Sequence, residues 1–188
     1  MTEIRDDHVA WAVVHRMRLI LDGPSVSNYS VTEAYAFFTA VLCWCLEHIR
    51  RPKNAKAQAT LKSLEDAGPR DDPWRISHDG RGLWLVGHPK RNPKPITSAA
   101  QALIWLRDTV AHGDGKKIMP IHKAGMGGRR VLTGFRFDDA VTLTEHDMRR
   151  IGCALADLFC NEIGRGEQGT RDGLFELDAL NRVSEAHA

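Results

Sequence analysis

Arg107, Asp108 and His112 stand within six positions at the end of an apolar run, in the stretch "ITSAAQALIWLRDTVAHGDG". A guanidinium is permanently charged and presents a planar fork of donors, which suits phosphate oxygens and the extra charge they gain in a transition state. A histidine in the last turn of a helix feels the negative end of the dipole, which favours its cationic form and brings its proton exchange toward neutral pH. An arginine that holds a phosphodiester and a histidine that moves a proton are enough for metal-free RNA cleavage.

The spacing sets conditions on that chemistry. Asp108 and His112 are four apart and share a helix face, so the carboxylate can orient the imidazole or the neighbouring guanidinium. Arg107 and His112 are five apart, about 140° around a helix axis. They converge on one ligand if the helix unwinds near Gly113 or if a second copy of the chain supplies a partner. The same residues also describe an ordinary helix end, where a basic side chain favours the dipole and a glycine caps the last turn. Arg182 and His187 repeat the separation, but Val183 replaces the polar residue and the pair falls in the tail.

The helix that must position the triad has Thr97 or Ser98 as its cap and Ala99, Leu103, Leu106 and Val110 on its buried face. Helical periodicity predicts a first helix over 4–21, stopped by "DGP", and a second beginning at Ser30, with Glu33 at capping-box spacing and Pro52 at its far end. A shorter helix is expected over about 54–66. A last core helix is predicted from "TLTEHDMRRIGCALADLFCNEIG", with Thr144 and Asp147 as capping box and Met148, Ile151, Leu155, Leu158 and Phe159 as apolar face.

Between these helices, the alternation around Asp79-Gly80 in "WRISHDGRGLWLVGHPKRNPKP" suggests a small hairpin. A second hairpin is predicted in "KKIMPIHKAGMGGRRVLTGFRFDD", where two β-favouring stretches flank a glycine-rich turn, and it is expected to stand outside the helical core. The "GMGG" segment lacks the lysine and the strand-to-helix setting of a phosphate loop and reads as turn chemistry.

Composition narrows the class. The 188 residues are 43% hydrophobic and carry a formal charge of +2, enough for one substantial core and too mild a charge to define a nucleic-acid binder. No signal-peptide core or bilayer-spanning stretch appears, so a soluble, cytoplasmic chain without membrane association is expected. Cys43, Cys45, Cys153 and Cys160 form no C-x-x-C pair and read as reduced core residues, and Trp44 and Trp105 also read as core. His8 and His15 lack a partner at metal-ligand spacing, so no metal or cofactor is expected.

"LRDTVAHGDG" resembles the signature of the HEPN superfamily, helical-bundle proteins whose ribonuclease members carry an arginine, a polar residue, a short spacer and a histidine. The likeness extends through "AYAFFTAVLCWCLEHIR", "KKIMPIH" and "LTGFRFDDAVTLTEHDMRRIGCALADLFC", similar to a plasmid- and bacteria-associated HEPN nuclease subfamily, and so covers most of residues 10–163. It implies a mainly α fold, an antiparallel HEPN-like bundle with a β-hairpin elaboration. The domain would span 1–163 with the hairpin near 116–142, followed by a tail over 164–188 that holds a short helix.

The resemblance also implies metal-independent endoribonuclease activity at a homodimer interface, in bacterial defence or a toxin-like role with an antitoxin or regulatory partner. Arg107 would bind the scissile phosphate, Asp108 would hold Arg107 or His112, and His112 would serve as base or acid while the 2′-hydroxyl attacks phosphorus. The products would be a 2′,3′-cyclic phosphate and a 5′-hydroxyl. Aspartate at 108 departs from the frequent asparagine and would partly neutralise Arg107. Lys116, Lys117, Arg129 and Arg130 are candidate RNA-backbone contacts, or a solvated charged loop; "HPKRNPK" reads the same two ways. The alternative function is a non-catalytic HEPN-like module that binds RNA or protein, and a third reading makes Arg107 and His112 structural caps.

Overall fold

The computed structural model describes residues 6–25, 28–49, 55–75, 85–86, 94–112, 117–138 and 141–164. Within them the chain is mostly helical with a small antiparallel sheet. Helix α1 spans Asp6–Asp22, α2 Ser30–Ile49, α3 Ala55–Asp66, α4 Ala99–Ala111 and α5 Glu145–Gly164. Helix α5 packs on α1, α2 and α3, while α4 lies against α2 and α3. The core joins Leu21, Phe38, Leu42, Leu106, Met148 and Phe159 from these elements. Gly152 lets α5 approach closely, because a Cβ there would stand 2.7 Å from the Leu21 side chain and 3.5 Å from that of Phe38.

Helix ends are fixed by polar contacts of two kinds. At α5 the expected capping box forms: the Asp147 amide donates to Thr144 Oγ1 at 3.2 Å, and Asp147 Oδ2 accepts from the Thr144 amide at 3.1 Å and hydroxyl at 2.7 Å. At α2 it does not, because the Ser30 hydroxyl donates across to Glu145 Oε2 at 2.8 Å and the Glu33 amide bonds the Tyr29 carbonyl. Glu33 instead accepts from Ser25 at 3.1 Å and faces Arg149 at 3.8 Å. Arg149 ties three helices together, donating from Nη1 to the carbonyls of Leu21 and Gly23 at 2.7 and 3.1 Å and pairing through Nε with Glu145 at 3.0 Å.

Strands β1 (Leu85–Val86) and β2 (Lys94–Pro95) pair antiparallel, so the short ladder flanks 87–93 rather than the Asp79-Gly80 turn, which lies outside the described residues. The larger sheet has the order β3 (Ile118–Ala124), β4 (Arg130–Phe137) and β5 (Val141–Thr144), all antiparallel. The β3–β4 hairpin was expected outside the core, yet Phe137 at its base is buried in the core, joined there by Val141 and Leu143 of β5. Tyr35 of α2 packs on Phe135 with ring centroids 4.3 Å apart, and that contact anchors the hairpin base. The third strand leads directly into α5. The expected tail over 164–188 falls outside the described residues from 165 onward.

Candidate functional site at the end of helix α4

Helix α4 is capped by Ser98, not Thr97: Ser98 Oγ accepts from the Gln101 amide at 3.3 Å, and Gln101 Oε1 reaches back to the Thr97 amide at 3.0 Å. The Ala99 amide donates to the Ala67 carbonyl at 2.8 Å, joining the start of α4 to the end of α3. Ala99, Leu103 and Leu106 are buried, which fixes the rotation of the helix. Thr109 is buried as well, its hydroxyl satisfied by the Trp105 carbonyl at 2.9 Å.

His112 is the C-cap, with φ −80° and ψ −6°, and its amide bonds the Asp108 carbonyl at 3.1 Å. Helical geometry therefore persists through the histidine, and unwinding does not bring it round to Arg107. The two residues stand about 7.5 Å apart along the axis and about 140° around it.

Their surroundings differ accordingly. The Arg107 side chain is only 18% exposed, and its Nη1 meets Asp108 Oδ1 at 3.0 Å. Its Nε is buried and has no hydrogen-bond partner among the described residues. On α2, burial pushes the Cys43 thiol up and the Arg107 charge draws it partly back. His112 is exposed, and among the described residues its imidazole has no partner. Of the two roles open to Asp108, its observed ion pair is with Arg107.

The expected RNA contacts are dispersed. Lys116 lies outside the described residues, as does Gly113. Lys117 sits at the hairpin base, where its carbonyl accepts from the Asp138 amide at 2.6 Å. Arg129 and Arg130 occupy the opposite end, about 23 Å along a ribbon of seven paired residues per strand. Among the described residues, Lys117 is therefore not gathered with Arg129 and Arg130 into a single patch. Of the "HPKRNPK" segment, residues 88–93 lie outside the described residues.

Two residues of α2 escaped the spacing analysis. Cys43 feels the Arg107 charge, a long-range relation that leaves no local spacing signature. Trp44, expected in the core, is 37% exposed and lines an apolar depression of about 380 Å³ with Met17, Ala40, Cys43, Glu47 and His48. Trp44 stacks on His48 at a centroid distance of 5.9 Å. All four cysteines are free thiols, and among the described residues no group of three His, Cys, Asp or Glu side chains is placed to hold a metal. Among those residues no helix is long and apolar enough to cross a membrane. No family model, curated protein or solved structure matches the chain.

Proposed function

We propose that the chain is a HEPN-like, metal-independent endoribonuclease with Arg107, Asp108 and His112 as its reactive set. The observation that carries this reading is the state of Arg107, mostly buried, held by one carboxylate and left with donor capacity unspent. Buried donors are ordinarily satisfied, so a guanidinium engaged on one side only is suited to receive an anion on the other. The phosphodiester would take that position, and the imidazole would remove the 2′-hydroxyl proton or protonate the departing 5′-oxygen.

Because α4 directs Arg107 and His112 to different sides, the complete centre would be composed from two copies of the chain. A two-fold pairing would bring Arg107 of each copy toward His112 of the other. This fits an intracellular RNA-cleaving factor in bacterial defence or a toxin role, restrained by an antitoxin or regulatory protein.

Labelled single-stranded RNA and matched DNA, incubated in excess chelator, test the reading. Wild type is expected to cut RNA alone and leave a 2′,3′-cyclic phosphate. His112→Ala should lower the rate by about 10²–10⁴ and Arg107→Ala by about 10²–10³, with the fold retained. Intact RNA across varied sequences would favour the non-catalytic binding module.

A further inference from the structure

The hairpin that follows the reactive helix carries a charge distribution unlike that of the chain as a whole. The full sequence is nearly balanced, with 26 Lys and Arg against 24 Asp and Glu, yet residues 116–137 contain six Lys or Arg and no acidic residue. At the far end of the ribbon Lys123, Arg129 and Arg130 are all exposed, and among the described residues none has a carboxylate partner. Like charges crowded without counter-charges repel one another, a cost that an arriving polyanion relieves.

The shape of the tip matches its charge. Register pairs Lys123 with Val131 and Ala124 with Arg130, so Lys123 and Arg130 project to opposite faces of the ribbon. The turn between them is narrow: Gly127 and Gly128 take φ of +72° and +77°, with open space where a Cβ would be. Exposure rises from Phe137, buried at the base, to Val131, half exposed near the tip. The edge strand β3 contains Pro120, which has no N–H to offer an added strand, and Lys123, which discourages one. These features disfavour a strand-adding protein partner and favour a ligand recognised by charge.

From this placement we infer that the β3–β4 hairpin is a phosphate-gripping arm for a nucleic-acid backbone, with Lys123, Arg129 and Arg130 contacting phosphates from both faces of the ribbon. The inference rests on the reading of the chain as RNA-directed and adds how substrate is held outside the cleavage centre. Binding through the arm is independent of sequence, falls steeply with salt, and depends on strands long enough to reach the tip.

The test measures binding of the full chain to a 20-nucleotide RNA and the same sequence as DNA, across a salt series. The Lys123→Ala/Arg129→Ala/Arg130→Ala variant is compared with wild type and with Lys62→Ala, which removes one exposed charge from α3. The variant is expected to lose at least tenfold in affinity at low salt, and its plot of log affinity against log salt should flatten by about 2, near 0.7 per lost phosphate contact. Lys62→Ala should keep the wild-type slope, and a dinucleotide should bind wild type and the triple variant alike.

An unchanged slope and affinity in the triple variant would overturn the arm, as would binding of anionic phosphatidylserine vesicles with no binding of either nucleic acid. Equal losses on RNA and DNA support a backbone grip shared by both, and losses on RNA alone support one that needs RNA. Cleavage by wild type is scored separately. RNA bound through the tip but left uncut across varied sequences favours the non-catalytic module and keeps the arm, whereas RNA cut with no contribution from the tip keeps the nuclease reading and overturns the arm.

Discussion

At the scale of single residues, the informative contact is the 3.0 Å pair between Arg107 and Asp108. The carboxylate holds the guanidinium in place and at the same time offsets part of the charge that a phosphate would feel. Asp108→Asn should keep a hydrogen-bond acceptor and remove that offset. Because Asp108 is 47% exposed, screening limits the gain, and RNA affinity at low salt is expected to rise only about two- to fivefold; a weakened affinity would mean that holding the guanidinium matters more than its net charge. The thiols give a second prediction with a definite sign. Burial pushes the Cys45 thiol well above its usual value and the Cys160 thiol up to about 12, and raises Cys43 and Cys153 as well. A group whose folded pKa lies above its unfolded value favours the native state below the unfolded pKa and loses that contribution as pH rises toward the folded one. Denaturant midpoints should therefore fall between about pH 9 and 12, and a Cys45→Ala/Cys160→Ala variant should show a smaller fall over that window.

At the scale of elements, the contacts that end the helices are the ones open to direct measurement. Thr144→Ala removes the oxygen that receives the Asp147 amide and is expected to cost about 1 kcal/mol, read as a lower urea midpoint at unchanged slope. Arg149→Ala should cost more, about 2–3 kcal/mol, because carbonyls at the end of α1 lose a charged donor and Glu33 and Glu145 lose their shared counter-charge. The contrast between these two sites explains what was legible in the sequence. Thr144 and Asp147 lie three apart, and a cap at that spacing is satisfied within one turn, so its signature is local. Ser30 and Glu33 have a similar spacing, but Ser30 finds Glu145 in another helix, and no window of sequence contains that choice. Helical faces were readable for the same local reason, as were the glycine-rich turn and the mainly helical fold. The burial of Phe137, Val141 and Leu143 and the exposure of Trp44 were not, since each depends on which element comes to lie alongside. Of the candidate site, the order of Arg107, Asp108 and His112 along α4 was legible; the influence of Arg107 on the Cys43 thiol was not.

At the scale of the whole molecule, the persistence of helical geometry through His112 bears on how many chains the proposed centre would require. If a single chain assembled the site, Arg107 and His112 would have to meet across about 140° of helix surface, with one side chain mostly buried and the other in solvent. In the proposed two-fold pairing the conflict is relieved, since each chain would offer its arginine to one shared centre and its histidine to the other. The arrangement has an arithmetic consequence under full subunit exchange. On the proposed reading, Arg107→Ala and His112→Ala chains should each be inactive as homodimers, while a mixed dimer would have one centre missing both residues and one centre intact. Equal mixing makes half the dimers mixed, so RNA cleavage should return to about a quarter of the wild-type rate at the same total protein. Exchange is followed independently by tagging one variant and recovering mixed dimers, and the recovered species should carry about half the wild-type rate per dimer. A site built within one chain would leave both the mixture and the recovered dimer inactive. Activity restored in the mixed species would place the arginine and the histidine of each centre on different chains, the one arrangement that lets a continuous helix serve both.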